Sequence, residues 1–119
     1  MESTSSNVLT LTQKLLDFIE EIESRFIHTQ ENKVEPDFFN EVKPFADEVH
    51  ALLLEWEKET VEWIGIAAPK YIHSQQIVST VENVNHVTVQ CFYPDTREKR
   101  FKGMIQSIRY VLNDILSKK

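Results

Sequence analysis

Metal binding is the chemistry that the residue types and spacings of this chain come nearest to encoding. Asp47 and His50 are three residues apart, and Glu82 and His86 are four apart. Helical bundles hold metal ions through Glu-x-x-His pairs on facing helices, completed by further carboxylates. Here one pair has Asp in place of Glu and the other has the wrong spacing, so all four residues are weak candidates. Exposed polar side chains explain them equally well, and no cofactor is predicted.

A group of cations near the start of the last predicted helix is the second candidate site. This basic cluster consists of Arg97, Lys99, Arg100 and Lys102. Cations beside the amide protons of a helix start could hold a phosphate or an acidic partner. The favoured alternative is charge pairing with the end of the first helix, which carries Glu20, Glu21 and Glu23. Both interpretations remain open on the sequence alone.

The connection at residues 69–73 is unusually apolar for a loop, since it reads Pro-Lys-Tyr-Ile-His. Lys70, Tyr71 and His73 are therefore candidate partner-binding residues. The favoured alternative is that Tyr71 and Ile72 fold back and cover the open end of a helical bundle.

Nucleophilic catalysis finds no support in the sequence. The single cysteine, Cys91, lies on a predicted apolar stripe and is interpreted as a core residue. The chain has only two glycines, and neither a glycine-rich phosphate loop nor a serine elbow is present. The sequence therefore predicts a protein that is not an enzyme.

These residues are placed by four predicted amphipathic helices in a single domain of residues 1–119. The helices are predicted at about 7–29, 36–66, 74–92 and 96–117. In the first helix, steps of three and four residues connect Val8, Leu11, Leu15, Phe18, Ile22 and Phe26. With short connections, four such helices predict an all-α, antiparallel up-down-up-down four-helix bundle.

Two segments make this helix prediction less direct. Residues 77–93 are rich in β-branched side chains that suit strands, but Ile77, Val81 and Val84 follow a helical spacing, which favours a helix. Pro44 lies inside the second predicted helix, where it removes one backbone hydrogen bond and clashes with the preceding turn. A kink or a break is therefore predicted near residues 40–44.

The charge of the chain is unevenly distributed. The net charge is -6, with thirteen Lys and Arg against nineteen Asp and Glu. Residues 1–65 sum to -10 and residues 66–119 to +4. An acidic chain makes nucleic acid an unlikely partner, because affinity for its backbone requires a basic surface. The chain has no apolar run of membrane-spanning length and no leader-like start, so no membrane association and a cytoplasmic location are expected.

Three short motifs resemble the YppE-like family of uncharacterised proteins from low-GC Gram-positive bacteria. They are Asp37-Phe38-Phe39 with Val42-Lys43-Pro44, then Pro69-Lys70-Tyr71-Ile72-His73 with Gln76-Ile77, and finally Lys99-Arg100-Phe101-Lys102. The resemblance spans residues 37–102 and is compatible with the flanking helices. It implies a cytoplasmic four-helix bundle without an established activity, so it brings no functional residues with it.

The leading functional hypothesis is a non-enzymatic interaction or regulatory protein with an unidentified protein partner. It would use a charged helix face or the loop at residues 69–73. The alternative is a small-ligand or metal-binding bundle in which His50 and His86 reach a shared internal site with neighbouring carboxylates. A leftover apolar stripe would also allow self-association into a homo-oligomer.

Overall fold

The computed structural model describes residues 2–118, and within them all regular secondary structure is helical. The elements are helix α1 (Glu2–Asn32), a π-helical turn (Phe38–Val42), and helices α2 (Lys43–Ala67), α3 (Ser74–Gln90) and α4 (Glu98–Leu116). The prediction of an all-α protein with four helices is confirmed. The predicted bounds need correction at several ends, and α1 is the clearest case because it continues to Asn32.

The second predicted helix, at 36–66, consists of the π-helical turn followed directly by α2, and Pro44 lies in the first turn of α2. Pro44 has no N–H with which to continue an α-helical ladder, and its ring crowds the carbonyl one turn earlier. The chain ahead of it winds as a π-helix, in which Val42 N–H donates to Asp37 O at 3.4 Å, and α2 begins only at Lys43. Asp37 caps the π-helical turn, because its side chain accepts from Asn40 N–H at 3.2 Å.

Helix α3 forms from the β-branched segment, as its helical spacing predicts. Two threonine hydroxyls donate to carbonyls one turn earlier, Thr80 to Gln76 O at 2.7 Å and Thr88 to Val84 O. The helix ends at Gln90, two residues before its predicted end, and a turn follows. In that turn Thr96 Oγ1 donates to Gln90 O at 2.6 Å, which keeps Thr96 out of α4. The last helix therefore begins at Glu98 and not at 96.

The core lies between the four helices: α1 and α3 each pack mainly against α2 and α4 and also make a smaller contact with each other. Two aromatic contacts illustrate this packing. Phe26 of α1 stacks on Phe101 of α4 with ring centroids 4.0 Å apart, and Phe18 of α1 meets the edge of Phe45 of α2 at 5.8 Å. The described chain measures 47 × 27 × 19 Å along its principal axes, so sites at its two ends are far apart.

Candidate functional site

The four weak metal candidates lie on the outside of the bundle. Asp47 and His50 are on α2, Glu82 and His86 are on α3, and all four side chains are exposed. Asp47 instead forms an ion pair with Lys43 Nζ at 2.8 Å. Among residues 6–118, whose side chains the structure describes, no three histidine, cysteine or acidic groups converge on one point. The predicted internal site shared by His50 and His86 is therefore wrong, because both imidazoles point away from the core.

The basic cluster opens α4, with Arg97 at the N-cap position and all four cations exposed. Lys102 Nζ pairs with Glu98 of the same helix at 2.7 Å. This hydrogen bond and the opposite charge raise the pKa of Lys102 and lower the pKa of Glu98. The pair is local and exposed, so it contributes little to stability.

The predicted pairing of this cluster with the acidic residues of α1 does not take the form of a direct ion pair, although the charge of Glu23 helps to raise the pKa of Lys102. Glu23 Oε1 of α1 does contact α4, but it pairs with Arg109 at 2.7 Å, about two turns beyond the cluster. In the described part of the chain, no carboxylate of α1 lies within ion-pair distance of the cluster. The exposed charges of Arg97, Lys99 and Arg100 thus lack a structural explanation within this helix pair.

Half of the basic cluster borders a surface cavity of about 370 Å³ between the end of α3 and the start of α4. The lining residues are Gln90, Tyr93, Asp95, Thr96, Arg97 and Arg100. Arg97 and Arg100 are three residues apart, so they share one face of the helix start, whereas Lys99 and Lys102 do not line the cavity. The cavity combines two guanidinium groups with one opposing carboxylate, that of Asp95.

The side chains of the loop at residues 69–73 differ in burial. Ile72 is buried at 2% exposure, as the loop-closure alternative predicts, but Tyr71 is 74% exposed and does not cover the bundle. Lys70 and His73 are exposed as well. The backbone of Tyr71 has a φ of +67°, in the left-handed region that disfavours non-glycine residues. Its ring centroid lies 5.9 Å from Lys118 Nζ, a cation–π contact.

The two predicted partner-binding surfaces lie at opposite ends of α4. The basic cluster is at its start, and Tyr71 contacts Lys118 just beyond its end. Nineteen helical residues separate these ends by about 28 Å. The structure therefore does not bring the basic cluster and the Tyr71 loop together, and each is a separate candidate surface.

Cys91 is a core residue, as predicted, and has no exposed surface. Its Sγ donates to Thr88 O at 3.3 Å. Burial raises the pKa of the thiol to about 12, which outweighs the opposite effect of the nearby Arg25 guanidinium. A thiol in this state is not a nucleophile at neutral pH.

One feature that sequence reasoning missed is the side chain of Arg25. It is half-buried on α1, with its guanidinium carbon 4.6 Å from the ring centroid of Phe92 and 5.9 Å from that of Phe45. Arg25 borders a second cavity, of about 320 Å³, at this end of the bundle. The only sequence signal was its position beside Phe26, at the edge of the apolar stripe of α1.

Comparison with known proteins identifies the family of this chain. The model of a bacterial domain of unknown function, DUF1798, matches residues 12–118. The chain belongs to this family. The uncharacterised protein YppE of Bacillus subtilis is 27% identical to it over 111 residues, covering 93% of this chain and 90% of YppE. The resemblance to YppE-like proteins found in the sequence is thereby confirmed.

Solved structures of similar proteins share the fold. A Listeria innocua protein of unknown function, solved at 1.74 Å, superposes with a TM-score of 0.94 at 23% identity, covering 98% of this chain and 94% of that one. The YppE crystal structure gives a TM-score of 0.90 at 26% identity, covering 96% and 93%. These relatives support the fold and carry no activity over to this chain. Within residues 2–118, no helix combines the length and apolar character needed to cross a bilayer.

Proposed function

We propose that this DUF1798 protein is a non-enzymatic interaction or regulatory protein that binds an acidic surface of another protein through its basic cluster. The observation that carries the proposal is the state of Arg97, Lys99 and Arg100. All three are exposed, and no carboxylate within residues 6–118 forms an ion pair with them. Cations at a helix start meet the positive end of the helix dipole, so this arrangement costs stability and has no internal benefit.

The cavity beside the cluster fits an acidic side chain of such a partner. A guanidinium binds a carboxylate through two parallel N–H···O bonds, and Arg97 and Arg100 both border the cavity. Tyr93 lines the same space and supplies an aromatic wall. Asp95 opposes an incoming carboxylate, so Asp95→Asn should strengthen binding of an acidic partner.

The Tyr71 loop is a second surface of the same proposal. Holding a tyrosine at a φ of +67° costs free energy, and the exposed ring regains little of it through a single contact with Lys118. An exposed aromatic side chain is a frequent anchor of protein interfaces. Its position favours a partner that contacts the opposite end of the bundle from the basic cluster.

We also infer that the four helices run antiparallel, up-down-up-down, with a kink near Pro44. Two contacts between α1 and α2 support the antiparallel direction. Phe18 meets Phe45, whereas Thr12, earlier on α1, bonds Trp56, later on α2. The π-helical turn ahead of Pro44 supports the kink, because such turns locally disturb the helix axis. Cytoplasmic location belongs to the same proposal. So does a negligible role for nucleic acid, because a net charge of -6 opposes binding to its phosphates.

Affinity capture from a lysate of a low-GC Gram-positive bacterium tests the interaction proposal. Wild-type protein and the double variant Arg97→Glu/Arg100→Glu are compared at low and at moderate salt. We expect one enriched protein that is lost from the double variant and weakens as salt rises, since exposed charges are screened. Tyr71→Ala tests the second surface in the same assay.

The matched control is Lys14→Glu/Lys58→Glu, which makes the same change in net charge at two exposed cations of α1 and α2. This variant should retain the partner. Equal capture by wild type and by both double variants would refute the basic cluster as the binding surface, and thermal unfolding of each variant shows whether the bundle is intact.

A further inference from the structure

The cavity beside Arg25 contains a cation that the bundle itself does not neutralise. Arg25 is half-buried, and charged side chains that are withdrawn from water are usually paired. Yet in the described part of the chain no carboxylate lies within ion-pair distance of Arg25. Its Nε is buried and has no hydrogen-bond acceptor. Stacking on Phe92 holds the face of the guanidinium and leaves its N–H edge without an assigned role.

The rest of the cavity lining carries both signs of charge. The volume of about 320 Å³ is bordered by Arg25, His28, Thr29, Asn32, Val34, Glu35, Pro36, Glu41 and Phe92. The hydrogen-bonding groups next to Arg25 come from the last turns of α1, whereas the two carboxylates come from the connection after α1 and from the π-helical turn. Glu41 is held in place, since its Oε2 accepts from Asp37 N–H at 3.0 Å. The volume is at the lower end of the range for small-molecule sites.

We propose that this cavity binds a small zwitterion of the α-amino-acid type. The carboxylate would pair with the guanidinium of Arg25 where it borders the cavity, and the ammonium would face Glu35 and Glu41. A simple anion would be repelled by the two carboxylates, and a simple cation by Arg25, so neither satisfies the whole lining. Val34 and Phe92 provide apolar contact for a short aliphatic side chain.

The inference is independent of the interaction proposal. Arg25 lies on α1 and Glu41 on the π-helical turn, whereas the basic cluster is on α4. Substitutions at either site leave the charges of the other unchanged. A protein that binds an amino acid without capturing a partner, or the reverse, would separate the two.

The test is a two-dimensional NMR titration of the full chain with L-leucine. Two matched probes each lack one charge: 4-methylpentanoate has no ammonium, and 3-methylbutylamine has no carboxylate. We expect leucine to shift the amide signals around the cavity, those of His28, Asn32 and Glu41 among them. Both single-charge probes should bind about tenfold or more weakly, because each loses a charged hydrogen-bonding group.

Two variants assign the charges. Arg25→Gln should weaken leucine binding about tenfold or more and leave the weak binding of 3-methylbutylamine unchanged or stronger. Glu41→Gln retains an acceptor for Asp37 N–H and should weaken leucine without weakening 4-methylpentanoate. Far-UV circular dichroism confirms that each variant is folded.

Three results would overturn the proposal. The first is that L-leucine shifts none of the cavity signals at millimolar concentration. The second is that 4-methylpentanoate binds as well as leucine, which would make the cavity a simple anion site. The third is that the shifts fall elsewhere on the bundle.

Discussion

The indole Nε1–H of Trp56 donates a hydrogen bond of 2.9 Å to the hydroxyl of Thr12, with neither residue exposed to solvent. The bond crosses the interface between α2 and α1 and therefore helps to fix the register of the two helices. A buried indole N–H requires an acceptor, because leaving it without one costs the free energy of desolvation. Thr12 thus contributes to stability mainly as the hydrogen-bond acceptor of Trp56, and less through its own packing.

Replacing Thr12 by valine tests this relationship. The substitution keeps the shape of the side chain but leaves the Trp56 N–H without its acceptor. We expect the free energy of unfolding to fall by about 1–3 kcal/mol. Urea denaturation followed by tryptophan fluorescence measures the change.

Thr60 provides a control, because the same threonine-to-valine substitution at this position should change the free energy of unfolding in the opposite direction. Its hydroxyl is buried on α2 and has no hydrogen-bond partner. Thr60→Val therefore removes an unsatisfied polar group and should raise the free energy of unfolding by about 1 kcal/mol. A similar loss of stability in both variants would show that valine itself, and not the hydrogen bond, is responsible.

Ala68 ends α2 in the left-handed conformation, with φ +47° and its N–H donating to Ile64 O at 3.0 Å. Glycine adopts this conformation without strain because it has no Cβ, whereas the Cβ of alanine makes the conformation unfavourable. Ala68→Gly should increase the free energy of unfolding by about 0.5–1 kcal/mol, measured by thermal or urea denaturation.

Ala67, one residue earlier and equally exposed, is the last residue of α2 and provides the comparison. Ala67→Gly gives up helix propensity and should lower stability by roughly 0.5–1 kcal/mol. If the two glycine variants shift stability in the same direction, the left-handed cap is not what limits the end of this helix.

The periodicity of apolar residues predicted most of the helices, but it did not predict every buried residue. The stripe of α1 correctly included Leu15 and Ile22, which are fully buried. It also included Phe18, which is only partly buried, and omitted Ile19, which is fully buried. Both residues lie at the edge of the stripe, where the rotation of the helix against its neighbours decides which one enters the core.

Local backbone geometry was less predictable. Pro44 indicated a disturbance, but the sequence gives no means of choosing between a kink, a break and the π-helical turn that forms. In the loop after α2, Tyr71 and Ile72 have similar apolar character. The left-handed backbone at Tyr71 determines that Ile72 faces the core while Tyr71 faces the solvent.

The candidate sites were the least predictable part, because they depend on which side chains of different helices meet. Charge counting suggested that Glu23 pairs with the start of α4, but the helix stagger places it against Arg109. A site at Arg25 was not predictable from the sequence, because a single arginine is common in an amphipathic helix. Its aromatic neighbours Phe45 and Phe92 come from distant parts of the chain.

The burial of Cys91 makes the stability of the protein depend on pH. Burial raises the pKa of the thiol from its ordinary value of 9.0 to about 12 in the folded protein. As pH rises above about 9, the unfolded chain releases this proton while the folded chain retains it. The unfolded state then binds fewer protons, so stability declines, at up to about 1.4 kcal/mol per pH unit from this group until the folded pKa is reached.

Two measurements check this account of Cys91. A thiol-reactive disulfide reagent at pH 8 should react with the native protein only as fast as the bundle opens, and rapidly in urea, because the reagent requires a thiolate. Urea denaturation of wild type and Cys91→Val across pH 8–10 isolates the linked proton, since the variant lacks it and should show the shallower decline. Rapid labelling of the native protein, or identical pH profiles for the two proteins, would mean that the thiol is not held protonated by burial.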